Sequence, residues 1–283
     1  METDKIYNED CIRGLKGLPD NSVNLIIADP PYGVSNKGKF EIPEKNYYRV
    51  NESWDIDVDK LTKSFIKESY RVLKDGGAIY ITASFHNLRL CWDALEKEGF
   101  TFRNNLIFAK TNAMPIKFAK QIGVYAYSHE YALYFTKGKT KTFNYEKLKR
   151  INGDNQCRDF VIITMNDRAS NKGKHKHPTM KPLELIKLFV MASSNEGDIV
   201  LDPFMGSGTT AIACKQLDRK YVGFEIDPEY YKYATDRLKQ GTMTGFFKTK
   251  SSNEDFPTER IISVKREILE ISPNPKSEIL DFV

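Results

Sequence analysis

The stretch IVLDPFMGSGTTAIAC, Ile199 to Cys214, runs from short apolar residues through a glycine-containing turn into a second apolar segment. It reads as a strand, a tight turn and the start of a helix. Gly206 and Gly208 permit backbone angles closed to other residues and let a ligand approach the main chain. The free N–H groups of the following helix face the same space. Glu225 lies 23 positions beyond Asp202, at the end of the next strand-like run in KYVGFEID. A doubly wound fold places an acid at about that spacing to bind ribose hydroxyls. The expectation is a nucleoside-bearing cofactor.

The glycine pattern alone leaves the cofactor open, because Gly206, Gly208 and Ala211 satisfy G-x-G-x-x-A, the dinucleotide fingerprint. The turn, however, begins with Asp202-Pro203-Phe204. A carboxylate there suits a cationic ligand better than a pyrophosphate, which wants a positive dipole and no neighbouring anion. A sulfonium cofactor with an amino-acid tail fits that entry better than NAD.

A second stretch, ADPPYGVS at 28–35, follows the apolar run Val23 to Ala28. The run reads as a buried parallel strand. Two prolines cannot continue it, so Asp29, Pro30, Pro31 and Tyr32 are delivered rigidly to the crevice at its C-terminal edge.

Around these stretches the elements alternate. Strand Lys5 to Asn8, helix Cys11 to Leu18, strand Val23 to Ala28, helix Leu61 to Leu73 ended by Gly76-Gly77, strand Ala78 to Ala83, helix Leu88 to Glu98 and strand Phe102 to Ala109 come first. Helix Leu183 to Ser193, strand Ile199 to Leu201, helix Thr209 to Leu217, strand Tyr221 to Glu225 and helix Pro228 to Leu238 resume the order later. This predicts an α/β protein with a doubly wound, mostly parallel sheet covered on both faces. The polar stretch from Gly33 to Asp57 reads as a mobile lid or binding loop, and Trp54 within it as a packing anchor. Beyond Gly241 the tail offers one amphipathic helix carrying Ile261, Val264, Ile268 and Ile271.

Charge is unevenly spread. Between Lys110 and Lys181 there are fifteen Lys or Arg against five Asp or Glu, a net of +10, while the rest of the chain carries −5. Aromatics interleave with this block (Phe118, Tyr125, Tyr127, Tyr131, Tyr134, Phe143, Tyr145), which suits a polyanion whose bases can stack. The start METDKIYNED lacks the order of a signal peptide and no apolar run reaches the length of a membrane span, so a cytoplasmic protein is expected. Cys11, Cys91, Cys157 and Cys214 form no CxxC pair, which argues against a disulfide framework or a zinc site.

DPPY at 29–32, HPTMKP at 177–182 and DPFMGSGTT at 202–210, in that order, resemble an amino-group DNA methyltransferase of the β permutation class. The resemblance covers about residues 5–240 and implies the fold called Rossmann-like, in circularly permuted order. It implies a catalytic half at 1–109, a target-recognition insert at 110–176, a cofactor-binding half at 177–240 and a tail at 241–283. It also implies S-adenosylmethionine as cofactor and DNA as partner, within a restriction-modification system. Asp29, Pro30, Pro31 and Tyr32 then become catalytic. The implied cofactor site takes in Asp10, Asp29, His177, Thr179, Lys181, Asp202, Pro203, Phe204, Gly206, Ser207, Gly208, Thr209, Glu225 and Ile226, with no metal. Asp10 reads equally well as a helix cap. One departure from the family pattern is Phe108, where relatives often carry Trp.

The chemistry is consistent with that assignment. An exocyclic amine is a poor nucleophile because its lone pair is conjugated with the ring. The Asp29 carboxylate and Pro30 carbonyl could accept its two hydrogens and free that pair, while Tyr32 stacks on a base flipped from the duplex. Asp in the first position of the tetrapeptide is typical of family members acting on adenine N6, with cytosine N4 the alternative. An NAD-dependent oxidoreductase, a non-catalytic DNA-binding subunit and an RNA methyltransferase are the competing classes. Duplex against single-stranded DNA, a homodimer and a companion restriction endonuclease stay open.

Overall fold

A computed structural model describes residues 2–32, 57–110, 127–163 and 180–243, with Gly123 and Tyr125. The loop at 33–56 with Trp54, the residues His177 and Thr179, and the tail helix lie outside the described residues. The elements run β1 (Lys5–Tyr7), α1 (Cys11–Lys16), β2 (Val23–Ala28), α2 (Val58–Val72), β3 (Leu73–Ala83), α3 (Leu88–Lys97), β4 (Thr101–Lys110) and β5 (His129–Thr136). They continue with α4 (Tyr145–Ile151), β6 (Phe160–Ile163), α5 (Leu183–Ser193), β7 (Ile199–Asp202), α6 (Thr209–Gln216), β8 (Lys220–Phe224) and α7 (Pro228–Met243). Among the described residues no helix is long and apolar enough to cross a membrane.

The strands form one eight-stranded sheet in the order β1-β8-β7-β2-β3-β5-β4-β6. Period-two alternation divides its core. Leu25, Ile27, Ala78, Tyr80, Ala132 and Tyr134 point into one cluster with α5, α6 and α7, whereas Ile26, Ala28, Ile79, Ile81, Leu133 and Phe135 point into the other with α1, α2 and α3. Strands apolar on both faces are what a helix-covered sheet requires. The Tyr80 ring lies between Tyr134 and Phe189, at centroid distances of 4.7 and 4.4 Å and an interplanar angle of 5° to each. Its hydroxyl, buried with them, is satisfied by Ser193 Oγ at 2.8 Å.

The structure departs from the sequence reading in two places. Gly76 and Gly77 do not end a helix: α2 stops at Val72 and the chain passes directly into β3. Gly76, at φ +80°, donates its N–H to Lys137 O at 2.7 Å, and a Cβ on Gly77 would lie 2.8 Å from Asn24 O. These glycines serve close strand packing. Secondly, the basic segment is not wholly outside the sheet. β5, from within it, pairs antiparallel with both β3 and β4, and β6 extends the edge parallel to β4. An antiparallel strand needs no crossover helix to arrive there, so the βα alternation gave no sign of it. Phe108 is buried in the core, and so are Cys11, Cys91 and Cys214.

Candidate active site

β7 and β2 are neighbours and parallel, with Leu25 opposite Val200 and Ile26 opposite Leu201. The helix following β7 covers one face of the sheet and the helix following β2 covers the other. The chain thus leaves the two strands in opposite directions, opening a crevice beyond their C-terminal ends. DPPY lies at the end of β2 and DPFMGSGTT at the end of β7, so the fold brings the two motifs to the same crevice.

On the DPPY side, Pro30 and Pro31 are buried while Asp29 and Tyr32 are half-buried. Asp29 Oδ1 accepts hydrogen bonds from Thr82 Oγ1 at 2.5 Å and Tyr32 Oη at 2.9 Å. Its Oδ2 takes Lys181 Nζ at 2.6 Å. Lys181 also lies 3.6 Å from Glu130 Oε2 and over the Tyr32 ring, 5.2 Å from its centroid. The Tyr32 hydroxyl is 3.3 Å from Glu130 Oε2. Burial alone would depress the Lys181 ammonium, but the Asp29 and Glu130 charges outweigh it and hold the lysine above its usual range. Burial, with the same two anions, pushes the Tyr32 phenol well up, so it stays a neutral donor.

On the glycine side, Gly206 and Gly208 adopt φ of +51° and +80°. A Cβ on Gly208 would stand 3.0 Å from Ala234 Cβ, because α7 packs against the turn. Arg237 of α7 donates to the Ser207 carbonyl. Glu225 closes the turn: its Oε2 accepts from Gly206 N and its Oε1 from Asp227 N, each at 2.8 Å. Burial raises the Glu225 carboxyl, and those backbone donors partly offset the effect. Ile226 beside it is 55% exposed, an apolar surface at the rim.

Asp202, Lys181 and Asp10 are each held by partners within the chain. Asp202 does not face the crevice as an open anion. It is buried, with Phe204 N bonding Oδ1 at 2.9 Å and the Thr210 hydroxyl bonding Oδ2 at 2.6 Å. Burial pushes its carboxyl up to about 7 despite both donors. Lys181, expected near the cofactor, is engaged with Asp29. Asp10 caps α1 through Arg13 N at 3.0 Å. Thr82 and Glu130 are members of the site that motif reading missed. The available signals were a threonine and a glutamate at the crevice ends of otherwise apolar strand runs.

The same edge of the sheet carries exposed rings. After β3, Phe85 is 69% exposed, on a turn pinned by Asn87, whose buried Oδ1 accepts from Ser84 N at 2.9 Å. The His86 ring bridges Phe85 and the half-exposed Tyr127, with centroids 6.0 and 6.2 Å away.

A doubly wound sheet with a rigid carboxylate and a nucleoside-type glycine turn at one crevice defines a group-transfer enzyme that uses a nucleoside cofactor. The comparisons narrow the class. The DNA methylase family model, of the N6/N4 type, matches residues 23–236, and the chain belongs to that family. It is 33% identical to the type II methyltransferase M.HinfI of Haemophilus influenzae over 83% of this chain and 68% of that protein. It is also 33% identical to the type II methyltransferase M2.LlaDCHI of Lactococcus lactis subsp. cremoris, over 85% and 91% respectively. Among solved structures, the M1.HpyAVI-SAM complex superposes with a TM-score of 0.63 at 30% identity, covering 83% of this chain and 98% of that one. The cytosine-N4-specific PvuII DNA methyltransferase shares the fold, with a TM-score of 0.65 at 18% identity over 95% and 94%. The resemblance read from the three motifs therefore names the right family.

Proposed function

We propose that this chain transfers a methyl group from S-adenosylmethionine to the N6 amine of adenine in DNA, as the modification enzyme of a restriction-modification system. The observation that carries this reading is the Asp29 carboxylate, fixed by Thr82, Tyr32 and Lys181 beside the glycine turn. Family membership supports DNA as the substrate, and the cofactor named in the M1.HpyAVI-SAM complex supports S-adenosylmethionine over NAD.

The glycine turn fits such a cofactor. Each Glu225 oxygen uses one lone pair on a backbone N–H and keeps another for ribose hydroxyls. Exposed Ile226 offers an apolar face to the adenine, and Gly206, at φ +51°, gives the turn a backbone form that glycine adopts without strain, so the main chain can approach the amino-acid tail. When bound, the cofactor supplies a methyl group activated on a sulfonium.

Asp29 and the Pro30 carbonyl accept the amine hydrogens of the target base, so the nitrogen lone pair is no longer tied into the ring. The acceptors are held in place before the base arrives, so little reorganisation is spent at the reacting atom. Tyr32 forms one wall for the flipped base, and Phe85, His86 and Tyr127 contact nucleotides beside it.

The test is to incubate the protein with S-adenosylmethionine and unmodified genomic DNA, digest to nucleosides, and identify the product by mass spectrometry. N6-methyladenine is the expected result, after which sequencing of modified positions maps the recognition site. N4-methylcytosine would keep the mechanism and overturn the choice of base. No methylated base would overturn the assignment.

A further inference from the structure

The basic stretch at residues 137–150 does not lie at the crevice. It carries six Lys or Arg against one Glu, a net of +5. Thr136, just before it, pairs with Ala78, which is level with Leu25, whereas the crevice opens beyond Ala28 at the other end of β2. Lys141 N bonds Gly76 O at 3.1 Å, and Asn144 N bonds Ala192 O, near the end of α5, at 2.8 Å. The stretch is thus tied to the N-terminal ends of the parallel strands. The eight residues of β5 separate the two ends of the sheet by roughly 24 Å at the usual strand rise.

The surface there suits an anion. Lys139, Lys141, Lys147 and Arg150 are exposed, and no ion pair ties Lys139, Lys141 or Arg150 among the described residues. Lys74 donates to Asn24 Oδ1 at 2.9 Å and has two further N–H donors. A cavity of about 450 Å³ opens between Lys74 and Lys141, with Asn21 and Asn24 on its wall and Asp75 as its one acid. That acid lies 3.6 Å from Lys137. Glu196, Asp198 and Asp218 precede β7 and β8, so they bound the patch on the far side of β2. Phe143 and Tyr145, 47% and 41% exposed, fall between the lysines in sequence. Cations with exposed rings match both the phosphates and the bases of a nucleic acid, whereas an acidic peptide uses only the charge.

We propose that Lys74 and residues 137–150 form a second nucleic-acid surface, which grips the phosphates of a DNA segment other than the one at the crevice. A duplex is stiff over about 50 nm, so one lying across the crevice does not fold round to the opposite end of the sheet. The chain therefore holds two segments at once.

The experiment uses the full chain and an excess of short mixed-sequence duplexes, half carrying a donor dye and half an acceptor. Energy transfer reports two duplexes on one particle, and sedimentation reports how many chains that particle contains. The proteins are the wild type and the Lys139→Gln/Lys141→Gln/Arg150→Gln variant, altered at three exposed positions. Transfer is expected in the wild type as a monomer, falling steeply with salt, and the variant should need about tenfold or more protein to reach it. Methylation of a short duplex should agree within about twofold between the two proteins. No transfer in the wild type, or equal transfer in the variant, would overturn the proposal. A matching loss of methylation would also overturn it, by putting these residues on the DNA at the crevice. A wild-type dimer that the variant fails to form would make the patch an interface between copies instead. Polyglutamate that suppresses transfer as well as single-stranded DNA of equal charge would replace the nucleic acid with an acidic protein. Absence of methylation in both proteins counts against the function proposed above and leaves the transfer measurement to decide this surface.

Discussion

Thr82 Oγ1 stands 2.5 Å from Asp29 Oδ1, joining the end of β3 to the first residue beyond β2. Thr82 is 1% exposed, so this bond forms away from competing water. The isosteric Thr82→Val keeps the shape and removes the donor. A hydrogen bond to a charged group contributes roughly 1.5–3 kcal/mol, so kcat is expected to drop about tenfold to a hundredfold. Affinity for S-adenosylhomocysteine, measured by calorimetry, should be unchanged because Thr82 does not touch the glycine turn. A variant that loses cofactor affinity in proportion would place Thr82 in the fold rather than in the chemistry.

Asp29→Ala should abolish turnover while preserving binding of DNA, and calorimetry with S-adenosylhomocysteine reads how much Asp29 adds to the cofactor site. Removing this carboxylate leaves Lys181 with Glu130 as its remaining carboxylate partner at the site. The buried lysine therefore keeps an anion, and the protein should stay folded. Gel-shift and calorimetric assays on the same preparation separate the two effects. Loss of DNA binding together with turnover would mean that Asp29 holds the crevice open rather than serving the reaction.

The parts of this fold that were legible in the sequence are those where local signals agree with the final packing. Val23 to Ala28 and Leu183 to Ser193 have the same bounds in the structure: the first is apolar but for Asn24 and is stopped by Asp29-Pro30, and the second is apolar but for Glu184, Lys187 and its final Ser193 and opens directly after Pro182. β5 was obscured by its surroundings: its charged neighbours dominate the composition, and its partners β3 and β4 are named by long-range pairing alone. For the same reason the site could be read only by halves. Asp29 and Glu225 are announced by their motifs, whereas Thr82 and Glu130 become members through strand register. Asp202 shows a further limit, because sequence gives the charge of a residue but not whether backbone donors will turn it inward.

That buried acid gives a pH signature. With its carboxyl raised to about 7 in the folded chain from its ordinary 3.8, Asp202 binds a proton in the native state that the unfolded chain has released. Between those values the unfolded state holds fewer protons, so this group makes stability fall as pH rises. The slope approaches about 1.4 kcal/mol per pH unit and flattens above the folded value. Asp202→Asn, which cannot titrate, removes this term. Chemical denaturation of both proteins from pH 4 to pH 8 should show the wild type losing stability relative to the variant up to about pH 7 and holding level beyond. A constant difference across that range would show that Asp202 stays ionised in the folded protein.

The exposed rings at the crevice edge make the last test. Phe85, 69% exposed, contributes little to the core, yet Asn87 holds its turn rigidly beside the strand that carries Thr82. Stacking of a base on an aromatic side chain is worth about 1–3 kcal/mol, so Phe85→Ala and Tyr127→Ala should each weaken DNA binding by roughly fivefold to a hundredfold. Thermal stability should hardly change, since neither ring is buried. Phosphate contacts respond differently, because affinity governed by them falls steeply with salt whereas stacking does not. A salt titration should therefore give the alanine variants the same slope as the wild type, displaced to weaker binding. A changed slope would mean that the substitutions disturb the basic contacts instead, and unchanged affinity would remove these rings from the DNA interface.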